Sequence, residues 1–406
     1  MTRFRKTSLL WLLILLPTVL LANNKLGIKD IIFRGDCEKL IIQEINNAHD
    51  SVIVVNFLFD YKPIVDALIT AKQKGVKIIV LTDSRSDETV MKGKNGQTYH
   101  ASSVSYMKSN GIDVHIYKRH TSGYGIMHEK FILFDASSIL VGSYNFNEAS
   151  TKYADAMILI ENKELYSQFY TEFLRLKNIS NISCYKKNKT TGVFFSADKI
   201  DDLIISQIRK ATDSIIVVHA YFDYKPIADA LIEAKKNNIK VVILTDISTK
   251  NRQMKDVFSD YKRPLLSHLY SGGIEEIYLY NPGKKMHNKY MLIDDNYFIC
   301  GSYNLHSQSA IFDEENVVAF QSKELYSKLY DEFVYLKNDA DKYTVDESET
   351  SKNFLKETRP SVLKKHMKII AIFSISLNVV LIFLILILIK KIYRAGYWKI
   401  IKNKNS

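Results

Sequence analysis

Cysteine is nearly missing from this chain. Three in 406 residues is an odd number and too few for a framework of bridges, so hydrophobic cores rather than disulfides must hold the fold. One pair, Cys37 with Cys184, is left as a candidate bridge, while Cys300 falls on an apolar, strand-like run. Metal-ligand spacing is missing as well: His100, His115, His120, His219, His268 and His306 are scattered and read as ordinary polar or core residues, so no metal and no cofactor is expected. The third absence is a basic excess in the body of the chain. The formal net charge is +12, yet residues 351–406 hold 12 of the 56 basic residues against one of the 44 acidic ones, and residues 1–24 hold three more basic ones. Residues 25–350 are left with 41 basic and 43 acidic residues, a body near −2, which does not advertise a long footprint on duplex DNA.

What is present is a duplication. His128-Glu129-Lys130, Asp135 and Gly142-Ser143-Tyr144-Asn145 return as His287-Asn288-Lys289, Asp294 and Gly301-Ser302-Tyr303-Asn304, with every internal spacing preserved. The repeat is wider than this motif. Residues 51–83 align without gaps on residues 214–246, with 20 of 33 positions identical. Each half begins with a short apolar run (Ile31-Ile32-Phe33; Val193-Phe194-Phe195), then an amphipathic stretch over 38–48 or 202–211, then a β-branched strand over 52–55 or 215–218. Pro63 and Pro226 sit near the start of a second helix, where a missing N–H costs nothing, and that helix leads to a strand ending in Leu-Thr-Asp. Strand alternating with helix predicts an α/β layered domain, twice.

The motif reads as a β-hairpin. His128 and Lys130 are two apart on a strand and so share a face, which leaves Phe131 and Leu133 for the core. A turn over 135–138, and over 294–296 in the second copy, brings the chain back, so that Ser143 and Asn145, or Ser302 and Asn304, arrive beside the His and Lys. Glycine ahead of them allows a ligand or a second backbone to come close. These residue types suit phosphoryl chemistry. Lys130, Lys289, Asn145, Asn304 and the serines can hold the non-bridging oxygens of a phosphodiester, one imidazole can attack phosphorus, and the other can protonate the departing oxygen. Attacking and leaving atoms must lie in line, so one imidazole from each repeat is required, and this explains the duplication. Asp135 and Asp294 are counted with the catalytic set, although bracing the hairpin suits them better than proton transfer.

At these residues the chain resembles the phospholipase D superfamily, defined by paired H-x-K-x4-D-x6-G-S-x-N motifs. The resemblance covers residues 30–340 and leans toward the compact nuclease and cardiolipin hydrolase-like branch, with two repeats fused in one chain. It implies tandem α/β/α sandwich domains related by a pseudo-two-fold axis, a phosphohistidine intermediate and no metal. By analogy His128 is the nucleophile and His287 the general acid, with the reversed assignment left open. Members of the family commonly carry a Glu-Asn pair after GSxN whose Glu orients a catalytic His. Glu315-Asn316 fits this pattern in the second repeat. The first repeat has Asp155-Ala156, displaced by about one residue, which leaves His128 without an assigned supporting carboxylate.

The ends of the chain suggest where it works. Residues 1–22, basic and then apolar, have the proportions of a signal peptide or signal anchor. Residues 25–177 and 192–338 are the two domains, joined by a polar linker over 178–191 that holds N-x-S/T triplets at Asn178, Asn181 and Asn188. A charged stalk over 339–368 leads to residues 369–389, 21 residues without a charge and long enough to be a transmembrane helix, followed by a basic tail over 390–406. The positive-inside tendency puts that tail in the cytoplasm and the catalytic body outside, single-pass, against a phospholipid membrane. A membrane-anchored phosphodiesterase acting on phospholipid is therefore expected, with a nuclease, a cardiolipin synthase-type transphosphatidylase or a non-catalytic membrane-bound binding module as alternatives. No obligatory protein partner is evident.

Overall fold

The computed structural model describes residues 27–117, 125–177, 192–254 and 264–344. The expected signal segment 1–22, linker 178–191, membrane span 369–389 and basic tail 390–406 lie outside the described residues. Among the described residues no helix is long and apolar enough to cross a membrane.

Each repeat builds one mixed sheet. In the first the strands are β1 (Ile28–Phe33), β2 (Ser51–Asn56), β3 (Lys77–Asp83), β6 (Asp113–Tyr117), β7 (Lys130–Phe134), β8 (Ser138–Gly142) and β9 (Ala156–Glu161), in the order β1-β9-β8-β7-β2-β3-β6; β4 (Val90–Lys92) and β5 (Thr98–Ser102) pair separately. The second repeats the plan with β10 (Val193–Phe195), β11 (Ser214–His219), β12 (Lys240–Asp246), β13 (Ile277–Tyr280), β14 (Lys289–Ile293), β15 (Tyr297–Gly301), β16 (Asn316–Gln321) and β17 (Ala340–Lys342), in the order β10-β16-β15-β14-β11-β12-β13-β17. β2, β3 and β6 are parallel, as are β11, β12 and β13, because helical crossovers join them. The hairpins β7–β8 and β14–β15 are antiparallel, as the motif spacing predicts. β17 lies within the region read as a stalk: its three residues add an edge strand to β13, and Tyr343 beyond it is buried.

The helices of the first repeat are α1 (Gly35–Asn47), α2 (Lys62–Gln73), α3 (Arg85–Glu88), α4 (Ser103–Ser109) and α5 (Lys163–Lys177); those of the second are α6 (Ile200–Lys210), α7 (Lys225–Lys236), α8 (Leu265–Ser271), α9 (Ser307–Ile311) and α10 (Lys323–Asn338). Pro63 and Pro226 occupy the first turn of α2 and α7. The period of two along each strand divides the cores. Val52, Val54, Ile132 and Phe134 face α1, α2 and α4, whereas Ile53, Val55, Phe131 and Leu133 face the other way. That inner core is continuous with Val218, Tyr290, Leu292, Phe298 and Cys300 of the second sheet, and with Phe169 and Phe173 of α5 and Leu329 and Phe333 of α10. Two sheets thus share one apolar layer, and the two repeats are a single folded body.

Cys37 is a free, buried thiol among the described residues, and its candidate partner Cys184 lies outside them. Its Sγ donates to the Ile32 carbonyl at 3.4 Å, and burial pushes its pKa well up. Cys300 is also free and buried, on β15.

Candidate active site

The chain just before each histidine leaves its own sheet and pairs with the other repeat. Met127 bridges to Glu314 and Met286 to Ala154. The His128 amide donates to the Glu314 carbonyl at 2.8 Å, and the His287 amide to the Ala154 carbonyl at 2.8 Å. β7 and β14 accordingly begin at Lys130 and Lys289 rather than at the histidines. The acid ending each Leu-Thr-Asp strand holds this crossing: Asp83 accepts from the Met127 amide at 3.2 Å and Asp246 from the Met286 amide at 3.0 Å. The repeated tripeptide was visible in the sequence, but its partner was not.

The crossing sets which carboxylate serves which imidazole. Glu315 supports the histidine of the other repeat, with His128 Nδ1 2.9 Å from both of its oxygens. Asp155 meets His287 Nδ1 at 2.7 Å. His128 therefore has its support, and Asp155 is a site residue that the one-residue displacement obscured. β9 and β16 both start immediately after the acid, at Ala156 and Asn316, so the extra residue falls in the preceding connection and leaves the carboxylate in place. With both Nδ1 atoms engaged, Nε2 is the nitrogen left to each ring for chemistry.

Ser143 and Ser302, read as phosphate ligands, give their protons elsewhere. Ser143 Oγ donates to Asp155 at 2.6 Å and Ser302 Oγ to Glu315 at 2.5 Å. Ser309, which sequence reasoning passed over, donates to the second Glu315 oxygen at 2.7 Å. The serines position the acids that position the imidazoles. Asn145 and Asn304 are different: both are buried, and their side-chain carbonyl oxygens have no partner among the described residues. Gly142 and Gly301 have a definite reason to be glycine, since a Cβ would lie 2.1 Å from the Ala156 carbonyl or 2.2 Å from that of Asn316. The close neighbour is therefore a second backbone strand.

Lys130 and Lys289 are fully enclosed, and their ammonium groups donate to the carbonyls of His128 at 2.5 Å and His287 at 2.7 Å. Burial drives Lys130 down to about 8 against the pull of Glu315 and Asp155, and Lys289 down to about 7 against that of Asp155. Burial also lowers the imidazoles, helped by the lysine charges: His287 falls to about 4 despite Asp155, and His128 falls well below its ordinary value. His128 is depressed in part by His287, and His287 in part by Lys130, so the two motifs form one electrostatic unit. The acids divide. Burial lifts Glu315 to about 8, whereas for Asp155 the His287 and Lys289 charges outweigh burial and hold it below the usual range.

Asp135 and Asp294 lie at the far end of each hairpin. Asp135 accepts from the amides of His49, Asp50 and Ser51, and Asp294 from those of Thr212, Asp213 and Ser214. They brace the turn, each with positive φ, and take no part in the reacting centre. Two histidines set aside as ordinary lie close by: His219 is buried beside Lys289 on the neighbouring strand, and His306 caps α9 through Gln308 and Ser309. Among the described residues Glu129, Glu172 and Glu314 are near enough to share a cation, but the Arg175 guanidinium already bonds Glu172 and Glu314 at 2.5 and 2.6 Å.

Paired His-x-Lys segments on a duplicated α/β fold, joined by reciprocal carboxylates, define a two-motif phosphodiester-type centre. The family description "Cardiolipin synthase, PLD-like domain" matches residues 41–177 and 204–337, and the chain belongs to this phospholipase D-like family. A phospholipase D of Rickettsia prowazekii is 32% identical over 146 residues, covering 36% of this chain and 64% of that protein. The minor cardiolipin synthase ClsB of Bacillus subtilis is 22% identical over 345 residues, covering 76% of this chain and 81% of ClsB. A solved phosphatidylserine synthase of Haemophilus influenzae shares the fold, with a TM-score of 0.62 at 14% identity over 89% of this chain and 98% of that one.

Proposed function

We propose that the chain is a membrane-associated phosphodiesterase that cleaves phospholipids through a phosphohistidine. The carrying observation is the reciprocal support of the two imidazoles, His128 by Glu315 and His287 by Asp155. His128 Nε2 attacks phosphorus, and a P–N bond forms as the P–O bond to the head group breaks. His287 gives its proton to the departing oxygen, and the same ring then takes a proton from water, whose oxygen displaces the imidazole. Lys130, Lys289 and the amides of Asn145 and Asn304 hold the non-bridging oxygens.

This assignment of roles follows the environments. The nucleophile must be neutral, and burial with the lysine charges holds His128 well below its ordinary value. The acid must hold a proton: burial and the lysine charges lower His287 to about 4, and the ionised Asp155 together with an anionic phosphodiester drawn in beside the ring raises its hold on that proton. Lipid is favoured over nucleic acid by the near-neutral body and by the lipid-acting names of the relatives. The apolar segment 369–389 would hold the body, outside the cytoplasm, against its substrate. Transfer to an alcohol instead of water is the same chemistry with a different acceptor, and the match to a cardiolipin synthase favours it as a second outcome.

The test uses the full chain in detergent, offered mixed phospholipid vesicles and, separately, single- and double-stranded DNA in chelator. Phosphatidic acid, or a new phosphatidyl alcohol, together with a phosphoprotein trapped from labelled lipid, is the expected result. DNA cleavage with lipid left intact would replace this reading with the nuclease one.

A further inference from the structure

The two imidazoles are approached through unlike surroundings. On the His287 side aromatic rings and cations are linked in sequence, starting at the imidazole. The Tyr153 ring is 5.9 Å from that of His287, and the Lys285 ammonium is 5.8 Å from the Tyr153 ring and 4.4 Å from that of Tyr221. Lys285 also donates to the Tyr221 hydroxyl, and the Arg252 guanidinium covers the same ring at 4.5 Å. All four side chains are half-buried. Arg252 is paired with the buried Asp223 at 3.3 Å, whereas Lys285 makes no ion pair among the described residues. Asp155, the acid behind His287, is the charge that acts on it. Two positive charges against one ring repel each other, and an anion placed between them would relieve that cost.

At the duplicated positions on the His128 side the lysine and both tyrosines are replaced. Lys285 corresponds to Ile126, Tyr221 to Leu58 and Tyr153 to Asp313. The ring against His128 there is Phe57, 5.1 Å away, with Arg85 over it at 5.2 Å and the enclosed Lys130 at 5.4 Å, so the cations on that side flank a ring without a hydroxyl, and one of them is the motif lysine itself. The tyrosine-flanked cationic cluster thus lies beside the imidazole assigned as general acid, where the leaving group departs.

We propose that Lys285, Arg252, Tyr221 and Tyr153 form a second anion subsite for the leaving head group. The chain then selects phosphodiesters whose departing alcohol carries its own anionic group, such as a second phosphate. A quaternary ammonium head group is disfavoured, because the aromatic faces that would stack on it are already occupied by Lys285 and Arg252. The inference rests on the phospholipid reading above and deepens it by naming the substrate class.

The experiment compares cardiolipin, phosphatidylglycerol and phosphatidylcholine with the full chain in detergent. Cardiolipin departs as an alcohol bearing a second phosphate, phosphatidylglycerol loses a neutral alcohol from an equally anionic surface, and phosphatidylcholine loses a cationic one. Cardiolipin is expected to exceed both by about tenfold or more in kcat/KM, and Lys285→Gln and Arg252→Gln should each collapse that ratio, chiefly through KM. Lys284→Gln, at the exposed neighbouring position, should leave the ratio unchanged. Equal rates on cardiolipin and phosphatidylglycerol, or a preference that survives both Lys285→Gln and Arg252→Gln, overturn the subsite while the phospholipid reading stands. Cleavage of DNA and of none of the three lipids overturns both. Because the wild-type ratio alone can refute the subsite, a variant that does not fold does not protect it.

Discussion

The His128 half and the His287 half of this centre share sequence, fold and spacing, yet they are not equivalent. His128 sits against Phe57 and is supported by Glu315, a glutamate that burial lifts to about 8 and that accepts hydrogen bonds from Ser302 and Ser309. His287 sits beside Tyr153 and is supported by Asp155, which stays ionised and accepts a hydroxyl hydrogen bond from Ser143. Duplication supplies two imidazoles in a common frame, and divergence of what surrounds them is what the proposed division into a nucleophile and an acid rests on. Two groups with the same ordinary pKa can do opposite jobs once burial and neighbouring charge separate them.

The strongest way to break this comparison is at the imidazoles. His128→Ala and His287→Ala should each cut turnover on a lipid by at least ~10⁴-fold. They should part on a substrate with an activated leaving group such as p-nitrophenol. There His287→Ala still forms a phosphoprotein, whereas His128→Ala forms none, and a phosphoprotein in the His128 variant would reverse the roles. The carboxylates come next. Glu315→Gln and Asp155→Asn should each lose about 10²–10⁴-fold in kcat, since a misoriented or wrong-tautomer imidazole is as damaging here as in other carboxylate–histidine pairs. Only Asp155→Asn should become sensitive to leaving-group pKa. A linear free-energy plot across aryl phosphodiesters reads this, and equal slopes in the two variants would erase the distinction.

Lys289→Met separates function from stability. Loss of one oxyanion donor should cost about 10²–10³-fold in kcat. The fold should gain on the order of 1–4 kcal/mol near neutral pH, because a charge held in the interior costs more than a packed methylene chain. The sign follows from the depressed pKa. A cation with a folded value near 7 against an ordinary 10.5 destabilises the folded state fully below 7, and the cost fades as pH rises toward 10.5. Denaturant melts of the variant and wild type at pH 6 and pH 9.5 should therefore differ more at pH 6. The same lysines shape the rate profile, since kcat/KM should fall as pH climbs through about 7 to 8, where Lys289 and Lys130 lose their charges. A profile flat to pH 10 would remove them from phosphate binding. The smallest effect belongs to Asp135→Asn and Asp294→Asn, which should lower stability by about 1–3 kcal/mol by weakening three amide contacts each, with kcat within a few-fold of wild type.

Much of this was legible in the residues. The duplicated His, Lys, Ser and Asn, the hairpins and the helix-starting prolines all follow from local pattern, because strands alternate at period two and a turn needs its turn residues. Glu315 was found because it sits beside Asn316 at a familiar distance from the motif. Asp155 was hidden because its role depends on a one-residue change in a connection, and only β9 reveals where that residue falls. Ser143 and Ser302 were placed on the phosphate because a hydroxyl near the motif suits it. What the sequence could not say is that a carboxylate lies nearer and binds the same proton.

The order of residues along the chain determined that there are two halves, which side chains face each core, and what chemistry those side chains can perform. Only the tertiary structure decided the partnership between halves: Glu315 reaches the imidazole of the first repeat and Asp155 that of the second, because the backbone ahead of each histidine pairs with the opposite repeat. Hydrogen-bond registry within a strand is a local property that spacing reveals. Contact between segments 132 and 187 residues apart depends on how two sheets share one apolar layer.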